Sequence, residues 1–151
     1  MSSRRLKYFS ARDWLLLLEA CACLSAASVV IWCLPFRQIA AKAGRIQRVA
    51  IELDPHSHQK EISRIKWAVE AASVRMPWRT VCFQKGLAAL ILLRRRKLPA
   101  VLHYGIANLA EGRLGAHVWV TSQKLPVIGY EAASAFAQVA TFPSMSGSTT
   151  G

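Results

Sequence analysis

The chain has 151 residues, 53% of them hydrophobic and 19% charged, which suits one folded unit and excludes a disordered chain apart from the small, polar last eight residues, SMSGSTTG. Its net charge of +12 is uneven: residues 1–97 carry eighteen Lys and Arg against six Asp and Glu, whereas residues 98–151 carry two of each. A basic face of this kind suits an anionic surface or an acidic partner, but the basic and aromatic residues do not interleave as nucleic-acid modules require, so nucleic acid is not an expected partner.

The four cysteines, Cys21, Cys23, Cys33 and Cys82, show neither a disulfide framework nor a zinc spacing, and three of them fall in one apolar run. Free thiols in such a run act as small hydrophobes, so a reducing, cytoplasmic setting is expected.

Residues 14–34, WLLLLEACACLSAASVVIWCL, are long enough to span a bilayer and follow Arg4, Arg5, Lys7 and Arg12. Glu19 interrupts the run, and a carboxylate is costly in lipid. The many small residues suit close helix packing, so a helix packed on the domain is expected ahead of a membrane span or a membrane-surface element. Pro35 breaks this helix. The stretch after it, FRQIAAKAGRIQRVA, places Phe36, Ile39, Ala40, Ala43, Ile46 and Val49 near one helical face, with its cations mostly elsewhere. Residues 1–50 therefore form an expected helical extension, residues 51–143 the main domain and residues 144–151 a flexible tail.

Asp54-Pro55 suits a helix start, and Ile62, Ile65, Val69, Ala72 and Met76 step at helical spacing up to Pro77. His56 and His58 lie at its mouth beside Asp54. Without a third ligand at a matching spacing they read as a solvated helix start, and neither a metal nor a cofactor is expected.

In WRTVCFQKGLAALILLRRR, residues 78–96, Thr80 can cap a helix whose first turn holds Cys82. Helix-start N–H groups favour an anion, and a thiolate is one. Arg94, Arg95, Arg96 and Lys97 suit the negative end of the same helix. The period then changes to that of strands over residues 100–108, 115–123 and 124–130, with a turn at Gln123-Lys124. On the second strand His117, Trp119 and Thr121 point one way and Ala116, Val118 and Val120 the other. A cysteine at a helix start followed by a histidine on a strand is the order used by papain-like and transglutaminase-like enzymes, in which the imidazole takes the thiol proton and later protonates the leaving amine. The same residues also fit a buried thiol and a structural histidine, and spacing alone leaves the two readings open.

The run CFQKGLAALILLRRRKLPAVLHYGI, then AHVWV, VIGYE and FAQVATFP, resembles the transglutaminase-like protease domain of the lasso-peptide biosynthesis B proteins over about residues 60–143. RDWLLLLEA and LPFR are similar, more loosely, to the stand-alone members. The resemblance implies an α+β papain/transglutaminase-like fold and removal of the leader from a ribosomally made precursor, with Cys82 as nucleophile and His117 as general base. It implies three partners: the precursor leader peptide, a separate leader-recognition protein and an ATP-dependent lasso cyclase. Some members carry an Asp twelve residues after the histidine, where this chain has Gly129. Glu131 is the first candidate to orient the imidazole in its place, with Thr121, Gln123 or a backbone group behind it. No glycine-rich phosphate loop is present, so no nucleotide site is assigned. The missing Asp also motivates a rival reading, a non-catalytic scaffold that docks precursor, partner and cyclase.

Overall fold

A computed structural model of the chain describes residues 10–35, 38 and 55–142. Of the expected amphipathic helix over residues 36–49 only Gln38 is described, and the Asp54 cap, the His56 side chain and the C-terminal tail lie outside the described residues. The described part is α+β, in the order α1 (Ala11–Cys33), α2 (Pro55–Ser73), α3 (Cys82–Arg95), β1 (Val101–Asn108), β2 (Leu114–Ser122), β3 (Leu125–Ile128) and β4 (Ala137–Phe142).

Each helix has a local reason for its limits. Ser10 caps α1: its hydroxyl accepts from the Arg12 N–H, and Asp13 reaches back to the Ser10 N–H. Leu34 and Pro35 end it. The α2 helix stops at Ser73, three residues short of the expected Met76, because the Arg75 N–H turns to the Ala72 carbonyl in a tightened last turn ahead of Pro77. The expected cap of α3 is also corrected. Val81, not Thr80, is the capping residue, and it offers no side-chain oxygen; instead the Gln84 side chain accepts from the Val81 N–H at 3.0 Å. The helix thus begins one residue later, with Cys82 as its first helical residue.

The four strands form one antiparallel sheet, ordered β3-β2-β1-β4. β2 and β3 join through Gln123 and Lys124, both at positive φ, the twist that a tight hairpin needs. α3 lies on one face of this sheet, and α1 and α2 pack on α3. Gly86 sets the closeness of that contact, since a Cβ there would sit 2.8 Å from Val118 Cγ1. Leu24, Ile65, Val69, Leu90, Leu92, Leu93, Val118 and Val120 form the heart of one core. Burying each such side chain contributes about 1.5–3 kcal/mol.

The carboxylate inside α1 is held by ion pairs. Glu19 meets Arg96 at 2.7 Å and Arg95 at 3.0 Å, Arg96 meets Glu61 at 3.0 Å, and Arg64 links Glu61 to Asp13 at 3.3 and 2.8 Å. Six residues so tie three helices together at the C-terminal end of α3. The Arg64 hydrogen bond holds the Asp13 carboxyl below its usual range.

Candidate active site

Cys82 is half-buried at the first position of α3, and all four cysteines are free thiols. The first turn of a helix leaves N–H groups without an intrahelical acceptor, and Cys82 lies in that turn. The other end of α1 reaches this place. Ala27, Val30, Ile31 and Leu34 form a small apolar cluster with Phe83 and Leu87.

β2 supplies both core and site through its pleat. Val118 and Val120 face α3, while His117 and Trp119 leave the opposite face. The His117 ring lies 6.1 Å from the Trp119 ring and 5.1 Å from that of Phe136. Its Nε2 lies 2.7 Å from the Gly129 carbonyl oxygen. A carbonyl only accepts, so Nε2 donates, and the lone pair of the neutral ring is on Nδ1.

Gly129 is the residue where an Asp was sought. It sits at φ +70° directly after β3, and a Cβ there would lie 2.6 Å from the Val118 carbonyl oxygen and 3.2 Å from His117 Nε2. No side chain fits between the two strands at that point. The backbone fills the role geometrically, with its carbonyl turned onto the ring.

Glu131, the first candidate for that role, is engaged elsewhere. Its carboxylate meets Lys66 Nζ at 2.9 Å, in an exposed pair, and that hydrogen bond holds the Glu131 carboxyl below its ordinary range. The pair joins α2 to the short 3-10 turn Tyr130–Ala135 that follows Gly129. Of the other candidates, Thr121 bonds His103 Nε2 at 2.8 Å, and the buried Gln123 amide has no hydrogen-bond partner among the described residues.

His103 was not foreseen as part of this face. Its ring stacks on Trp119 at 5.4 Å and 5°, and its Nδ1 meets Gln138 at 2.9 Å. Burial pushes its pKa below the ordinary imidazole value, against the Gln138 hydrogen bond. His103, Trp119, Tyr130, Glu131 and Gln138 line an open groove of about 720 Å³ beside His117. Alternation in 101–108 was the one signal that could have put His103 here, because it pairs with Trp119 across the strands.

The structure does not join the two reactive groups: Cys82 opens α3, which packs on the sheet face of Val118 and Val120, whereas His117 leaves the opposite face. Cys82 lies one turn, about 6 Å along the axis, before Gly86, which touches the neighbour of His117. No hydrogen bond joins Cys82 Sγ to the imidazole among the described residues. Among these residues there is likewise no group of three or more His, Cys, Asp or Glu placed to hold a metal ion.

Comparison with known families gives one match: the model described as transglutaminase-like superfamily covers residues 30–141 and so includes Cys82, His117 and Gly129. No curated protein and no solved structure matches the chain.

Proposed function

This chain belongs to the transglutaminase-like superfamily, and from that premise we propose that it is a cysteine peptidase that removes the leader from a ribosomally made precursor of the lasso type. In this reading Cys82 is the nucleophile and His117 the general base. What supports it is a cysteine at the start of a helix and, on the strand that this helix packs against, an imidazole whose Nε2 is held by the Gly129 carbonyl.

The chemistry follows from those positions. Nδ1 of His117 takes the thiol proton, and the thiolate attacks the scissile carbonyl carbon. The N–H of Cys82 is available to the oxyanion. The C–N bond then breaks, the imidazolium protonates the leaving amine, and a thioester remains on Cys82. Water activated by the same nitrogen hydrolyses it. The step requires Cys82 and His117 to come together around the substrate, since His117 leaves the sheet face opposite α3. Gly129 orients the ring as a neutral acceptor, where a carboxylate would add charge. A separate leader-recognition protein presents the substrate, and a lasso cyclase uses the freed N-terminus.

The rival reading, a scaffold that docks these proteins without cutting, is favoured by the absence, among the described residues, of a carboxylate bonded to His117 and of a thiol–imidazole hydrogen bond. Mass spectrometry of a precursor mixed with this chain and its leader-binding partner separates the two. The peptidase reading predicts a released leader with the wild type and none with Cys82→Ala. Cleavage by Cys82→Ala at the wild-type rate rejects it.

A further inference from the structure

α1 has two faces. One packs into the core through Leu16, Leu17, Ala20, Cys23, Leu24 and Ala27. The other is apolar and open to solvent: Leu15, Leu18, Ala22, Ala26, Val29 and Trp32 follow one another at steps of three and four, which aligns them along the helix. Trp32 is 93% exposed and Leu18 63%. Trp14, also exposed, stands at the other end, about 27 Å away along the axis. The one ionisable carboxylate within this run, Glu19, is turned inward to Arg95 and Arg96.

Charge identifies what covers this face. Residues 1–50 hold eight cations, Arg4, Arg5, Lys7 and Arg12 before the apolar run and Arg37, Lys42, Arg45 and Arg48 after it. The same fifty residues hold only two carboxylates, Asp13 and Glu19, and both already meet arginines of the domain. An apolar row with tryptophans near its ends, flanked in sequence on both sides by segments rich in cations, matches an anionic bilayer surface, where each cation contributes about 1 kcal/mol. A second copy of the chain matches less well, because both copies carry the same excess of cations in the sequence around this helix.

We propose that the outer face of α1 docks the protein flat on an anionic phospholipid surface. The helix lies on the membrane and does not cross it. Crossing would strip its inner face from α2 and α3 and break the Glu19 pairs. Since the C-terminal half of α1 packs on Phe83 and Leu87, the docked protein holds the Cys82 end of α3 near the Trp32 end of the membrane contact. The proposal does not depend on the peptidase reading.

Vesicle flotation of the full chain tests it. The protein is expected to float with vesicles containing phosphatidylglycerol, to stay behind with phosphatidylcholine alone, and to be released by high salt. The double variant Leu18→Glu, Trp32→Glu should float at least about tenfold less. Both positions are exposed, and circular dichroism checks that the variant is folded; should it not be, Trp32→Glu alone, outside the core, gives the same reading. Failure to float with anionic vesicles, equal recovery with both lipids, or undiminished recovery of the folded variant overturns the proposal. A dimer in size exclusion that Leu18→Glu dissociates also overturns it, since a second copy then covers the face.

Discussion

The two ends of α3 are built differently. The arginine end is held by charge: Arg95 and Arg96 meet Glu19, and Arg96 continues through Glu61 to Arg64 and Asp13. The cysteine end has no side-chain oxygen capping its donors, only Gln84 returning to the Val81 N–H. One helix thus carries an anchored terminus and a terminus with donors to spare. On the peptidase reading stability belongs to one end and chemistry to the other, and substitutions at each end should separate the two properties.

The largest separation is expected at the cysteine end. Cys82→Ala and His117→Ala should each lower leader cleavage by about a thousandfold or more and leave the melting temperature nearly unchanged. Cleavage assays with parallel thermal melts check both halves. Gly129→Ala comes next. Its positive φ and the close Val118 carbonyl should cost about 1–3 kcal/mol of stability, and a displaced carbonyl should lower cleavage by roughly ten- to a hundredfold. Nitrogen NMR of the His117 ring gives an independent reading: the wild type should hold its proton on Nε2, and the variant should lose that preference.

At the arginine end the effect should invert. Arg96→Met leaves Glu19 and Glu61 without their shared cation, so stability should fall by about 2 kcal/mol, several degrees in a melt, while cleavage below the transition stays near wild type. A smaller effect concerns acid. His103 is less readily protonated in the folded protein than in the unfolded chain, so stability should decline as pH falls below about 6.5 and through its lowered folded pKa. In His103→Gln that part of the decline should vanish from denaturation midpoints measured against pH. The smallest change is expected for Glu131→Gln, within about threefold in cleavage, because its partner is Lys66 in an exposed pair.

Much of this was legible in the sequence. Apolar spacing located α1, α2 and α3, and strand alternation separated His117 and Trp119 from Val118 and Val120. The order of Cys82 and His117 pointed to the family that covers residues 30–141. What escaped was set by contacts between distant residues. Composition does not show that Glu19 meets Arg95 and Arg96, or that Lys66 engages Glu131. β4 follows the 3-10 turn and was not distinguished from it, though it brings Gln138 to His103. For the partner of His117, Glu131 ranked first in the sequence, with Thr121, Gln123 or a backbone group behind it. A sequence lists side chains, and the group facing this ring is a backbone carbonyl exposed by a glycine turn.

The central claim is that Cys82 and His117 act as one pair although no hydrogen bond joins them in the substrate-free chain. The rate at which iodoacetamide alkylates Cys82, followed by peptide mapping in wild type and His117→Ala, tests it most directly. The account predicts that Cys82 reacts faster than Cys21, Cys23 and Cys33 in the wild type, and that His117→Ala slows Cys82 alone by about tenfold or more. Equal Cys82 rates in the two proteins would contradict it.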